Sequence, residues 1–203
     1  MKRIISNSTT GLEECACTVR FSKPDAADRT ELEQFIGNVF RHTYGANIKR
    51  FMPYLMSLRD QDDQLIAVCG LRSAASEPLF LETYLDHPIE TALSEQVGYK
   101  VERSDIVEVG NFSVAELGMA RYLMNAIIDQ LHTTSKQWAV FTIVPRLSNA
   151  FAKMGVTAEV LGEAKIERIP ADMQSEWGSY YDQKPQIMAI RRIERRGVTS
   201  TNA

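Results

Sequence analysis

The residues best suited to chemistry lie between positions 105 and 121, in the stretch DIVEVGNFSVAELGMAR. Its β-branched first half is typical of a strand, and apolar residues then recur with the 3.6-residue period of a helix. A small-residue turn between a strand and a helix exposes unpaired N–H groups at the positive end of the helix dipole, which favours an anion. Glu108 places a carboxylate just before that turn. An anion site beside a carboxylate suits a group-transfer enzyme with a phosphate-bearing cofactor.

Three side chains are the candidates for catalysis, and each also has a structural interpretation. Glu108 could bind or deprotonate an attacking amine if its pKa is raised, or it could form a structural ion pair with Arg72. Arg72 follows the apolar run IAVCGL. It could hold the carboxylate of an acceptor or Glu108, or it could be exposed at a strand end. Asn111 could bind substrate or stabilise the turn.

The binding candidates also have two interpretations. Gly118 and Ala120 would allow a cofactor pyrophosphate to approach closely, or a helix to pack closely on a strand. The residues from Ser113 to Glu116 also fit a capping box, whose carboxylate would repel a phosphate. Asp86 is interpreted as the cap of the turn before the helix at 89–97. The candidates for an acceptor or acyl-chain pocket are Glu82, Tyr84, Trp177 and Tyr180, although aromatic side chains near a chain end are also typical of a plain core.

Composition predicts one ordinary soluble domain over residues 1–203, with loose tails at 1–12 and 194–203. The net charge of −3 argues against a nucleic-acid surface. No apolar run approaches the roughly 20 residues of a membrane span, and the N-terminus does not fit a signal peptide. The three cysteines, 15, 17 and 69, have no framework spacing, which indicates free thiols in the cytoplasm. The histidines are scattered, and we expect no metal site.

Hydrophobic periodicity predicts a mixed α/β sheet. Strands are expected at 15–21, 52–59, 64–73, around 105–109, 137–144, 156–161 and 186–192. Helices are expected at 25–44, at 89–97, after a strand–helix turn at Gly110-Asn111 with Gly118-Met119-Ala120 at the helix start, and at 147–154. The segment 79–85 is expected to be a strand or an extended link, and 171–181 shows no clear period.

This order of elements, with Gly118-Met119-Ala120 after the central strand, resembles the GNAT acyltransferase fold, an α/β mixed sheet with helices on both faces. Residues 149–156 resemble the end of a helix that in many such enzymes carries a tyrosine, which protonates the leaving thiolate. Phe151 stands at that position here. The resemblance implies that a thioester donor is bound by Phe112, Val114, Gly118, Met119, Ala120, Arg121, Asn149 and Phe151.

Four motifs resemble those of acyl-homoserine-lactone synthases, a GNAT-like branch: Val39-Phe40, Asp62-Asp63, Gly70-Leu71-Arg72, and Glu108 in E-x-x-N-F. Asn111 replaces the arginine of the last motif, and Val107 replaces its tryptophan. A closer resemblance, to the bacterial thermostable hemolysin family, extends over most of the chain. It is carried by AVCGLR at 67–72, LFLETYLDHPIE at 79–90, IVEVGN at 106–111 and WGSYY at 177–181.

These resemblances imply an N-acyltransferase that moves an acyl group from an acyl-CoA or acyl-carrier-protein thioester to a small amine. No permanently bound cofactor is expected, because the phosphopantetheine thioester is itself the donor substrate. The family name implies instead a protein that lyses red cells directly. A third interpretation is indirect lysis by an acylated, surfactant product. The basic residues 191, 192, 195 and 196 could contact phosphates or an acyl-carrier protein, or form a solvated face.

Overall fold

The computed structural model describes residues 3–5 and 17–192, and it arranges them around one eight-stranded mixed sheet. The strands are β1 (Arg3–Ile5), β2 (Cys17–Ser22), β3 (Tyr54–Arg59), β4 (Leu65–Ser73), β5 (Ile106–Val114), β6 (Trp138–Ile143), β7 (Ala158–Glu163) and β8 (Gln186–Arg191). Their order in the sheet is β1-β2-β3-β4-β5-β6-β8-β7. Only the central pair, β5 and β6, is parallel, because the chain between these two strands forms a helical crossover.

Among the described residues, five α-helices cover the two faces of the sheet. They are α1 (Arg29–Tyr44), α2 (Ile89–Val97), α3 (Ala120–Thr133), α4 (Pro145–Lys153) and the short α5 (Ala171–Gln174). Helix α1 forms because Leu32, Ile36 and Phe40 recur at a spacing of four residues, and all three are buried. It ends at Gly45, which adopts a left-handed conformation with φ 65° that favours glycine.

Two hydrophobic clusters lie on opposite faces of the sheet. The face that carries α1 and α2 buries Ile106 and Val140, whereas the face that carries α3 and α4 buries Val109 and Phe141. Side chains alternate between faces along a strand, so Glu108 points to the same side as Ile106, toward α1. We call these the α1 face and the α3 face.

Strands β5 and β6 separate from each other beyond the middle of the sheet. They pair only from Ile106 opposite Trp138 to Val109 opposite Phe141, although both strands continue further. In the continuing part, β5 pairs only with β4, and β6 pairs only with β8. The two facing strand edges therefore carry backbone groups that no strand neighbour satisfies.

A bulge bends β5 at the point where it leaves β6. Between the pairs Val68–Ser113 and Gly70–Gly110, β5 contains one residue more than β4. Asn111 lies in this bulge with φ 51°, and its side-chain oxygen accepts a hydrogen bond from the Met52 backbone N–H at 2.9 Å. The Met52 side chain lies over Gly70 and Gly110, where an added Cβ would come within 2.4 and 2.3 Å of it.

Most predicted elements are confirmed, including the hairpin at 52–73, the helix at 89–97 and the buried strand β6. Three predictions are wrong. The segment 79–85 is neither strand nor extended link but a 3-10 helix, Phe80–Tyr84. The central strand does not turn at Gly110-Asn111, because pairing with β4 carries it to Val114. Ser113 and Glu116 form no capping box, because Ser113 is a buried strand residue and α3 begins only at Ala120.

The short strand β1 was not anticipated, since it lies within the predicted loose tail at 1–12. The rest of that tail and the tail predicted at 194–203 lie outside the described residues, as do Cys15, Arg195 and Arg196. Cys17 and Cys69 are buried in the core of the α3 face. Burial raises the pKa of the Cys69 thiol far above its ordinary value.

Candidate active site

A cavity of about 220 Å³ opens where β5 and β6 separate. Residues 108–112 of β5 and 141–144 at the end of β6 form its middle. Helix α1 and the segment around Trp177 line it on the α1 face, and α3 and α4 line it on the α3 face. The cavity therefore passes through the sheet between the two strands and is reached by side chains from both faces.

Glu108 is the acidic group of this cavity, and it is only 3% exposed. Its two carboxylate oxygens accept hydrogen bonds from the backbone N–H groups of Phe80 and Leu81, both at 2.9 Å. Burial raises its pKa to about 7, although these two hydrogen bonds and the nearby charge of Arg72 oppose the increase. Each oxygen keeps a further lone pair, so the carboxylate can hold its position and still accept a proton near neutral pH.

Arg72 lies directly opposite Glu108 on the neighbouring strand β4 and also lines the cavity. The two side chains share the α1 face, but the structure describes no direct hydrogen bond between them. Arg72 instead donates from Nη1 to the Pro78 carbonyl at 3.3 Å. Its Nε is buried without a hydrogen-bond partner among the described residues, and lies 3.8 Å from a Glu77 carboxylate oxygen.

Aromatic side chains line the cavity on the α1 face. Trp177 stacks on Phe80 with ring centroids 5.7 Å apart, and Tyr180 packs edge-on against Tyr44 at 5.1 Å. The Tyr180 hydroxyl donates to the Thr142 carbonyl at the exposed edge of β6, at 3.2 Å. Trp177 Nε1, by contrast, is buried and finds no hydrogen-bond acceptor among the described residues.

The α3 side of the cavity is apolar, and Met124 and Ile127 of α3 form part of its lining. Phe112 packs edge-on against Phe151 with centroids 5.7 Å apart. No side chain caps the N-terminus of α3. Arg121, in its first turn, lies over the Tyr122 ring at 4.6 Å and leaves its buried Nε unpartnered within the described chain. A 3-10 helix, Leu117–Met119, runs directly into α3, and the helix dipole together with the guanidinium of Arg121 favours an anion here.

The cavity brings together seven of the predicted site residues: Glu108, Arg72, Asn111, Phe112, Phe151, Trp177 and Tyr180. Five others surround the α3 N-terminus, outside the cavity lining. Of these, Gly118 is exposed, Met119 and Arg121 are half-buried, Ala120 is buried in the core of the α3 face, and Val114 pairs with Ala67 at the end of β5. Asn149 is exposed on α4.

Glu82 and Tyr84 lie outside the cavity lining and make structural contacts. Glu82 accepts hydrogen bonds from the N–H groups of Leu79 and Ile89, at 2.7 and 2.9 Å, and pairs with Arg103. Burial alone would raise the pKa of Glu82, but the hydrogen bonds from Arg103 and the backbone lower it to about 2. Tyr84 hydrogen-bonds the Tyr181 hydroxyl. Glu82, rather than Asp86, thus caps the start of α2, and Asp86 pairs with Arg168 at 2.7 Å.

The cavity residues that were not predicted from the sequence include Tyr44, Arg50, Met52 and Phe80. Tyr44 lies four residues after Phe40 on α1, so its spacing was a usable signal. Arg50 lies at the rim, where it pairs with Glu176 at 3.4 Å. Met52 and Phe80 reach the site only through the packing of loops that are distant from β5 in sequence, and no local pattern indicates them.

The fold matches that of several solved acyl-transferring synthases at low sequence identity. The N-acyl amino acid synthase FeeM, from uncultured soil microbes, has a TM-score of 0.61 at 15% identity, over 88% of this chain and 91% of that chain. The acyl-homoserine lactone synthase LasI has a TM-score of 0.58 at 13% identity, over 88% and 91%. The CoA-dependent acyl-homoserine lactone synthase BjaI, solved with SAM and isopentyl-CoA, has a TM-score of 0.52 at 12% identity, over 88% and 84%. The architecture is thus a GNAT-like α/β fold.

The family is given by the sequence rather than by the fold. The model of the thermostable hemolysin family matches residues 22–195, which is most of the chain, and the protein belongs to that family. No curated protein matches the sequence significantly. Within the described part of the chain, no helix is both long enough and apolar enough to cross a membrane.

Proposed function

We infer that this protein is an N-acyltransferase that moves an acyl group from a phosphopantetheine thioester to an amine. The observation that carries this inference is the cavity between β5 and β6. It has a carboxylate with a pKa of about 7 on one face of the sheet. An uncapped helix N-terminus lies on the other face. In such a cavity an anionic donor can bind from one face of the sheet and an amine acceptor from the other, and the reacting groups of the two substrates meet between β5 and β6.

The donor fits the α3 side. A phosphopantetheine arm is an extended chain with two amides, and the separated edges of β5 and β6 offer backbone groups that could pair with them. Its phosphate would lie at the N-terminus of α3 beside Arg121. The acyl chain would occupy the apolar surface formed by Met124, Ile127 and Leu147. Coenzyme A and acyl-carrier protein both present this arm, so both are candidate donors.

The acceptor fits the α1 side, where Glu108 would take a proton from its ammonium group. The free amine attacks the thioester carbonyl, the C–N bond forms, and the C–S bond breaks. A backbone N–H of the bulge, at Asn111 or Phe112, would stabilise the developing oxyanion. The second amine proton goes to the departing sulfur, so the products are an amide and a thiol. Because a thiol has a pKa of about 8.5, the thiolate is a good leaving group even with Phe151 at the tyrosine position.

The folds of FeeM, LasI and BjaI support the reaction class, since each of those proteins is a synthase of an acylated product by its own description. The test is a thiol-release assay with acyl-CoA and acyl-carrier-protein donors of graded chain length and a panel of amines. We expect donor-dependent thiol release that Glu108→Gln reduces strongly. Glu95→Gln, a change of the same type at an exposed position on α2 outside the cavity lining, serves as the control. Absence of thiol release with every donor would contradict the proposal.

The family description names a second possibility, that the protein itself lyses membranes. Acyl transfer offers a route to the same outcome, because a long-chain N-acyl amine is a surfactant. Liposome leakage separates the two. We expect leakage only when donor and amine are supplied, and we expect it to persist after the protein is removed from the reaction. Leakage caused by the purified protein alone would favour direct lysis.

A further inference from the structure

Two buried N–H donors in the lining of the cavity have no acceptor. They are Arg72 Nε and Trp177 Nε1, and neither has a hydrogen-bond partner among the described residues. Buried donors are nearly always paired in folded proteins, and leaving one unpaired costs free energy. Two such donors in one cavity indicate a ligand that brings hydrogen-bond acceptors.

Both donors are connected to Glu108 through a short set of contacts. Arg72 lies opposite Glu108 in the register of β4 and β5, where directly opposed Cβ atoms are roughly 4.5–5.5 Å apart. Phe80 donates its N–H to Glu108, and the Phe80 ring stacks on Trp177. One small ligand could therefore contact the carboxylate and a neighbouring donor at the same time.

The charge on Arg72 is also incompletely balanced. A guanidinium has five N–H donors, and Arg72 uses one, toward the Pro78 carbonyl. The nearest carboxylate, that of Glu77, is half exposed, and at 3.8 Å it is beyond hydrogen-bond distance. Both oxygens of Glu108 already accept backbone hydrogen bonds from residues 80 and 81. The guanidinium therefore retains its capacity for a planar, bidentate anion.

We propose that the acceptor of the acyl group is an amine that carries a carboxylate on the neighbouring carbon, that is, an α-amino acid. Arg72 binds the carboxylate, Trp177 donates a further hydrogen bond to it, and Glu108 receives the proton of the ammonium group. The ammonium and carboxylate groups of an amino acid match the opposite charges of Glu108 and Arg72. A plain alkylamine would leave Arg72 without its anion. This inference rests on the acyl transfer proposed above and names its acceptor class.

The test compares each amino acid with the amine obtained by removing its carboxylate, for example leucine with 3-methylbutylamine and phenylalanine with 2-phenylethylamine. Because a hydrogen bond to a charged group is lost, we expect kcat/KM to favour the amino acid by roughly 10- to 100-fold. Arg72→Gln should remove most of this preference, and Arg72→Lys should restore part of it. Trp177→Phe, which keeps an aromatic ring without the N–H, should raise KM for the amino acid more than it lowers kcat.

Arg20→Gln is the matched control, because Arg20 lies on β2 and pairs with Asp63 away from the cavity. It should leave the preference unchanged. Titration calorimetry of the amino acid against the full-length protein provides a readout that is independent of turnover. Equal use of both members of a pair, with Arg72→Gln unchanged, would overturn the carboxylate inference and leave acyl transfer intact. Binding that depends on Arg72 without thiol release from any donor would support the carboxylate site and contradict the proposed reaction.

Discussion

The pKa of Glu108 leads to a measurable dependence of stability on pH. Burial raises this pKa from 4.5 to about 7 in the folded protein. Between these two pH values the folded protein holds a proton that the unfolded chain has released, so the contribution of Glu108 to stability is complete below pH 4.5. It is lost as the pH rises through 7. This difference corresponds to about 3 kcal/mol of unfolding free energy.

Glu108→Gln removes the titration while keeping the size of the side chain. Its NH2 group would face one of the N–H donors of Phe80 and Leu81, which adds a penalty of about 1–3 kcal/mol that does not depend on pH. Urea unfolding of both proteins between pH 4.5 and 8 isolates the titrating part, because all other carboxylates are common to the two. We expect the difference in unfolding free energy between wild type and Glu108→Gln to decrease by about 3 kcal/mol as the pH rises across this range.

A constant difference between wild type and Glu108→Gln over that range would show that Glu108 ionises normally in the folded protein. The reasoning that makes it a base near neutral pH would then fail. Glu95→Gln, measured in parallel, controls for the substitution itself. If the reasoning holds, thiol release by the wild type should also increase with pH around 7, since only the ionised carboxylate accepts a proton.

Three further predictions concern stability. Gly178→Ala should lower the unfolding free energy by roughly 3 kcal/mol, because φ is 51° and the new Cβ would lie 2.1 Å from the Tyr44 carbonyl oxygen. Gly98→Ala, which has open space around it, should lower the unfolding free energy by about 1 kcal/mol. Equal losses for the two variants in urea unfolding would contradict this. Gly110→Ala should lower the unfolding free energy by about 1–3 kcal/mol, because the new Cβ would lie 2.3 Å from Met52 Cε. In a double-mutant cycle, Gly110→Ala should cost much less in a protein that also carries Met52→Ala, and additive losses would contradict the contact. Arg103→Gln should lower the unfolding free energy at pH 7 by about 2 kcal/mol, and this loss should decrease as the pH falls from 4.5 toward 2, because Glu82, whose pKa is about 2, is then progressively neutralised. The hydrogen bond from Arg103 Nε to the Ala74 carbonyl does not titrate and should leave a residual loss, whereas a loss that does not change with pH would exclude the ion pair as a cause.

The elements that depend on local pattern were predictable from the sequence. Helix α1 follows from apolar residues spaced four apart, β6 from a continuous apolar run, and the hairpin of β3 and β4 from a polar turn between two apolar segments. Glu108 was identifiable as well, because an acidic residue within a β-branched run must find a partner or a cleft. In each case the signal lies within a few consecutive residues.

What only the tertiary structure decided is how distant segments meet around that carboxylate. The bulge that carries β5 to Val114 depends on pairing with β4, and the separation from β6 creates the cavity. The two N–H groups that hold Glu108 come from a 3-10 helix that sequence reasoning interpreted as a strand or link. Local periodicity indicates which residues are buried. The pKa of a buried acid depends instead on which groups, often distant in the sequence, surround it in place of water. The sequence by itself therefore identified Glu108 as the acidic residue. The packing of the 3-10 helix Phe80–Tyr84 and of Arg72 beside Glu108 determined the pKa of its carboxyl group.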